Sequence, residues 1–231
     1  MTDSIAERFK RVRERMIAAA ERSGRDPGRI TLVVVTKGVT EDRIRQAIEA
    51  GATDLGENRV QEALQKIEGF GGRVRWHLIG HLQRNKVKPS VGIFEMIHSV
   101  DSLELAHEVD RRAGLAGIRQ KVLIQVNASR ESSKHGVSPE GLEALVRQTA
   151  ALAHLSVEGL MTIPPPSDDP AGSRIFFRWT AEKAEALRQA GCPMRELSMG
   201  MSNDFEAAIE EGATLIRVGT AIFGPPQAER G

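Results

Sequence analysis

The sequence predicts an α/β chain folded as a closed (β/α)8 TIM barrel, a single domain over residues 1–231 with an extra N-terminal helix. Three observations predict it. Short runs of β-branched residues alternate with capped helical segments, which calls for parallel strands joined by right-handed crossovers. The unit recurs eight times in 231 residues, slightly under the ~250 typical of such barrels. No Gly-x-Gly-x-x-Gly follows the first run, which counts against the competing open, doubly wound sheet.

A helix comes first, over Ser4 to Ser23. Ser4 and Glu7 stand at capping-box spacing, and Ile5, Phe9, Val12, Met16 and Ala19 form an apolar stripe, with Gly24 as the stop. The basic residues of its other face (Arg8, Lys10, Arg11, Arg13, Arg15) are interrupted by Glu7 and Glu14, the pattern of a solvated face rather than a nucleic-acid arm. The first strand-like run is Ile30 to Thr36, followed by a helix over Thr40–Ala50 that Gly51 ends. Thr53–Gly56 precedes a helix over Asn58–Glu68, and Val74–Ile79 precedes a loop and a short helix near Asn85–Lys88. Phe94–Val100 leads to a helix over Asp101–Ala113, with Asp101 and Glu104 read as its cap. Lys121–Asn127 is the clearest strand, and the helix after it is expected to open at Ser138-Pro139, proline taking its favoured first position. Leu155–Ile163 runs into Pro164-Pro165-Pro166 and a helix over Ala171–Ala190. Arg195–Ser198 and a helix over Ser202–Glu211 follow, then the last strand, Thr214–Val218. Ala47–Thr53 and Ala208–Thr214 are near copies, one helix-end, glycine and strand-start solution used twice.

Composition excludes several classes. The chain is 40% hydrophobic and 27% charged, ordinary for a globular protein. A net charge of +1 offers no general attraction to nucleic acid or an acidic membrane. Cys192 is the only cysteine, so neither an intrachain disulfide nor a cysteine metal cluster is available. No apolar stretch is long enough to cross a bilayer, and the N-terminus does not read as a signal or transit peptide, so a cytoplasmic location is expected.

In a (β/α)8 barrel the chemistry lies at the C-terminal ends of the strands. There the first run ends in Lys37, an ammonium group delivered by buried apolar residues. Strand seven ends in Ser198-Met199-Gly200-Met201-Ser202, with Ser202 expected to cap the next helix, and strand eight ends in Arg217-Val218-Gly219-Thr220. Small residues and hydroxyls at these two places suit a phosphate, because backbone N–H groups and a helix N-terminus can reach an anion. A lysine amine opposite a phosphate cradle fits pyridoxal 5′-phosphate, and it fits a Schiff-base lyase on a sugar phosphate as well.

Six segments carry a resemblance over nearly the whole chain, from about Ile5 to Gly224: Val33–Lys37, Gly56–Glu62, Trp76–Lys86, Gly159–Ile163, Leu197–Ser202 and Arg217–Gly224. In them the chain resembles the YggS/PROSC family of pyridoxal phosphate homeostasis proteins, which is similar to the barrel domain of alanine racemase and lacks that enzyme's β-rich second domain. The resemblance implies a protein that holds pyridoxal 5′-phosphate as a Schiff base on Lys37 and acts in its homeostasis or delivery, without evident catalytic turnover. It implies phosphate contacts from Ser198, Gly200, Ser202, Gly219 and Thr220. Arg217 is expected to meet either the phosphate or the pyridine nitrogen, and Asn58, His77 and Met161 to line the site. Around the lysine the chain departs from the family's usual Ser-Lys-Thr, reading Thr36-Lys37-Gly38.

The implied partners are pyridoxal 5′-phosphate itself and the pyridoxal-phosphate-dependent apo-enzymes that would receive it, with the chain a monomer or weak homodimer. An active fold-type III enzyme such as an amino-acid racemase is the main competing reading. It needs a tyrosine as second base, and the sequence contains none. No metal role is expected, since the spacing of His77, His81, His98 and His135 matches no ligand set.

Overall fold

The β-branched run before Lys37 becomes β1 (Thr31–Val35) of a computed structural model that describes residues 3–131, 133–166 and 170–225. β2 (Asp54–Glu57), β3 (Arg75–Leu78), β4 (Met96–Val100), β5 (Gln120–Val126), β6 (Leu155–Thr162), β7 (Glu196–Ser198) and β8 (Leu215–Val218) follow in order. Each pairs in parallel with the next, and β8 returns to β1, with Thr31 opposite Leu215 and Val34 opposite Val218. The barrel is therefore closed, and the open-sheet alternative falls.

Side-chain alternation along the strands builds two cores. Outward residues such as Val34, Leu55, Trp76, Leu78, Ile97, Ile124, Leu160 and Ile216 join the apolar faces of the helices. Inward residues Val33, Met96, Leu123, Met161 and Leu215, with Ile79, form a smaller cluster inside the barrel. The helices are α1 (Ile5–Arg22), α2 (Glu41–Glu49), α3 (Val60–Phe70), α4 (Leu103–Leu115), α5 (Leu142–Ala150), α6 (Pro170–Gln189), α7 (Phe205–Glu210) and α8 (Thr220–Phe223).

The capping box of α1 forms as its sequence requires: Ser4 Oγ accepts from Glu7 N–H at 3.2 Å, and Ser4 N–H donates to Glu7 Oε2 at 2.7 Å. α1 packs on α7 and α8. Because α8 is one turn of four residues, α1 completes the cover over that side of the barrel. Arg15 pairs with Glu206 and Arg22 with Glu210. Arg25 donates to the carbonyls of Ile209 and Ala213 at 2.6 and 2.7 Å, satisfying the C-terminal end of α7.

Four helix starts differ from expectation. Ser102, not Asp101, caps α4 by accepting from Leu105 N–H. α5 starts at Leu142: Ser138 instead closes a turn, its hydroxyl and carbonyl both accepting from Gly141 N–H. α3 starts at Val60 rather than Asn58. α7 starts at Phe205 after Asp204, which leaves Ser202 in the turn before it. The segment near Asn85–Lys88 is a single 3-10 turn, Arg84–Lys86.

β6 skips one residue in its register with β5: Val122 faces Val157 and Leu123 faces Gly159. At Gly159 a methyl group would lie 1.8 Å from the carbonyl oxygen of Glu196 on β7. Gly159→Ala is expected to destabilise the barrel by about 1–3 kcal/mol or more in urea unfolding. Gly72→Ala, where nothing lies within 4 Å, should stay within about 0.5 kcal/mol of the parent.

Candidate functional site

Lys37 sits at the tip of a turn. Val39 N–H donates to the Thr36 carbonyl at 3.0 Å, and Gly38 takes φ +67°, the left-handed conformation that this turn needs at its third position. The lysine is exposed. Beneath the turn lies Lys66 of α3, with its Nζ 2.7 Å from the Thr36 carbonyl, 2.6 Å from Glu57 Oε1 and 2.7 Å from Glu62 Oε1. Thr36 Oγ1 also donates to Glu57 Oε1 at 2.6 Å, and Gly38 N–H donates to Glu62 Oε1 at 2.7 Å. Burial raises the pKa of Glu57 despite these donors. Burial acts in the same sense on Glu62, but Lys66 and the Gly38 N–H outweigh it and hold its carboxylate below the usual range.

Loops at the C-terminal ends of the strands surround a cavity of about 990 Å³. Of the residues expected at the site, Lys37, Asn58, Ser202, Arg217, Gly219 and Thr220 line it. Ser202 does not cap α7. Its Oγ instead accepts from the N–H groups of Gly219 and Ala221, both at 3.3 Å, so two amides at the start of α8 converge on one oxygen. Gly219 itself comes close to β1, where a methyl group would meet Val35 at 3.2 Å.

Four expected residues stand outside the lining. Met161 belongs to the apolar cluster inside the barrel and is fully buried. Gly200 has φ +90°, and a methyl group there would lie 2.5 Å from Ala208 Cβ, so its role is to let strand seven turn tightly against α7. Ser198 and His77 are parts of a polar chain below the cavity. Arg217 Nη1 donates to Ser198 Oγ at 2.7 Å, and its Nη2 donates to the Thr162 carbonyl at 3.0 Å. Ser198 Oγ lies 2.9 Å from His98 Nδ1, His98 Nε2 lies 3.0 Å from His77 Nδ1, and His77 Nε2 lies 3.0 Å from Asp54 Oδ1. Burial, then the neighbouring His77 and Arg217, hold His98 well below its usual pKa, so it is neutral. Arg217, Ser198, His98, His77 and the Asp54 carboxylate thus form one continuous chain of hydrogen-bond contacts. Arg75 closes the far end with two bonds of 2.7 Å to Asp54. Burial lowers Arg217 to about 10, which leaves it a cation at neutral pH.

Sequence reasoning missed the Glu57–Lys66–Glu62 group, the interior chain through His98 and Asp54, and the cavity residues Gln125, His81 and His135. Glu62 and Lys66 carry an i, i+4 signal on α3, but nothing local ties them to Thr36.

A closed barrel with an exposed lysine, an interior arginine and a pair of convergent amides defines a class of binding site. The family model for "Alanine racemase, N-terminal domain" matches residues 3–227. A pyridoxal phosphate homeostasis protein of Aquifex aeolicus is 46% identical over 223 residues, 96% of this chain and 98% of the relative. One from Escherichia coli K12 is 38% identical over 226 residues, covering 96% and 97% of the two chains. Among solved structures, PipY of Synechococcus elongatus with pyridoxal phosphate bound superposes with a TM-score of 0.82 at 39% identity, over 96% of this chain and 100% of that one. The chain belongs to the pyridoxal phosphate homeostasis protein family.

Two predictions follow from the buried groups. Lys66→Met leaves two carboxylates without their cation and is expected to cost about 3–5 kcal/mol in urea unfolding, part of which Glu57→Gln in the same chain should restore. Hydrogen bonds from His77, Arg75 and Thr53 overcome burial and hold Asp54 far below its usual 3.8. A depressed carboxylate stabilises above its unfolded pKa and loses that stabilisation as pH falls. The stability gap between the parent and Asp54→Asn should therefore be full at pH 7 and narrow steadily below about pH 4.

Proposed function

We propose that this protein binds pyridoxal 5′-phosphate, holds it as a Schiff base on Lys37 and acts in homeostasis or delivery of the cofactor without catalytic turnover. The whole chain, residues 1–231, would serve as one cofactor-binding barrel domain. The observation that carries the reading is the placement of Lys37 in the same cavity as the two amides that converge beside Gly219 and Thr220. When bound, the cofactor supplies an aldehyde that condenses with a primary amine, and a ring that can withdraw electrons.

The chain's own groups divide the work. Gly219, Thr220 and Ser202 offer N–H and O–H donors to a phosphate at the start of α8, where the amides already meet an oxygen. Lys37 offers its amine from a turn held from below. Asn58 faces the space between them. In this reading Arg217, which is tied inside the barrel to Ser198 and Thr162, meets the pyridine nitrogen rather than the phosphate. A permanent cation there disfavours a proton on that nitrogen and so weakens the ring as an electron sink, which suits a carrier better than a catalyst. His77 and Ser198 support Arg217 and do not touch the cofactor in this reading. Recipients would be pyridoxal-phosphate-dependent apo-enzymes.

The racemase reading lacks its second base, because the chain has no tyrosine. The sugar-phosphate lyase reading requires purified protein without a bound chromophore. The decisive measurement is the absorption spectrum of the protein loaded with pyridoxal 5′-phosphate, followed by borohydride reduction and peptide mapping. The label is expected on Lys37 alone, and Lys37→Ala should lose it. A label on another lysine, or no imine band, would overturn the proposal, and rapid interconversion of D- and L-alanine would overturn the claim of no turnover.

A further inference from the structure

Two histidines that lie far apart in the sequence meet at the rim of the cavity. His81 follows β3 and His135 lies in the loop after β5, and their imidazole rings stack with centroids 3.9 Å apart and planes 10° from parallel. Asp101, immediately after β4, places Oδ2 3.7 Å from His81 Nδ1. One donor atom from each of the three lies within 4.8 Å of the others.

Their surroundings leave these atoms without other work. Among the described residues, the side chains of His81, His135 and Asp101 make no hydrogen bond (Gln125 donates only to the His135 carbonyl), and 3.7 Å is too long to count as one. The interior histidines contrast sharply: His77 and His98 have both ring nitrogens occupied. The neighbouring cation, Lys134, is turned to Glu131 at 3.2 Å.

We propose that His81, His135 and Asp101 form a site for a borderline divalent cation of the Zn²⁺ type. Two imidazoles and one carboxylate are a donor set for such ions, and a tetrahedral ion would keep a fourth position for water. Donors on one zinc sit roughly 2.0–2.2 Å from the metal, hence roughly 3.5 Å from one another. Binding would bring the two exposed rings to that spacing by side-chain rotation. The carboxylate offsets part of the ion's charge. The site is empty. It does not use Lys37, Arg217 or the amides of Gly219 and Ala221, so its existence is independent of how the cavity binds its cofactor.

The test is calorimetric titration of the full chain, stripped of metal by chelation, with Zn²⁺, repeated with Co²⁺ to read the visible ligand-field bands. The parent should bind one equivalent, with Co²⁺ showing intense tetrahedral bands. His81→Ala and His135→Ala should each weaken binding at least about tenfold and abolish those bands, and Asp101→Asn should weaken binding as well. His154→Ala, which removes a histidine paired with Asp110 elsewhere on the surface, should change nothing. Circular dichroism and thermal unfolding establish that each variant is folded. Absence of saturable binding, a Co²⁺ spectrum of the hydrated ion, or equal affinity in the parent and both histidine variants would overturn the proposal.

Discussion

A buried ammonium group under the Lys37 turn is the interaction on which the site depends. Lys66 Nζ touches three oxygens at 2.6–2.7 Å: a backbone carbonyl that follows β1, a carboxylate on β2 and one on its own helix. Removing such charges from water is costly, and only dense pairing offsets it. The geometry converts that cost into position. The same two carboxylates also hold Thr36 Oγ1 and Gly38 N–H, so the residues on either side of Lys37 are fixed while Lys37 itself stays exposed. The segment Gly56–Glu62, singled out in the sequence for its resemblance, thus acts largely from behind the turn.

Inside the barrel a second constraint operates. Barrels of this kind usually fill with layers of apolar side chains. Here the apolar layer of Val33, Met96, Leu123, Met161 and Leu215 is accompanied by a polar file running from Asp54 to Arg217. A half-satisfied file would be worse than an apolar one. Each link of it lies within hydrogen-bond distance of the next, and Arg75 anchors the carboxylate end. The result is an arginine whose two terminal nitrogens are committed below the cavity, with its orientation set from the opposite end of the barrel.

The fold was legible because each strand-like run is bounded by its own glycine, proline or cap, and because eight repeats leave one closed topology. Helix starts were less legible. Asp101 and Ser102 are both good caps, and only tertiary placement chose Ser102. At the site, Lys37, Arg217 and Gly219 could be found because they end strands. His77 and Met161 could not be placed by that rule: alternation says that a residue faces inward, but barrel stagger decides whether it reaches the mouth or stops in the interior. The ties of Lys66 to Thr36, and of His81 to His135, join segments with no fixed spacing, so no motif could reveal them.

Rigidity and openness are therefore divided in a way that would serve the proposed holding role. A ligand joined to Lys37 would be retained by a covalent bond and a phosphate contact, one at β1 and the other at the start of α8. Both lie on strands that pair directly, Val34 facing Val218. The lysine and the glycine after it are exposed, so an incoming amine can approach the same carbon that Lys37 holds. In the proposed arrangement Arg217, which remains a cation, would disfavour a proton on a bound ring. On the proposed reading, retention with access, on a floor that would withhold a proton, suits a reservoir better than a catalyst.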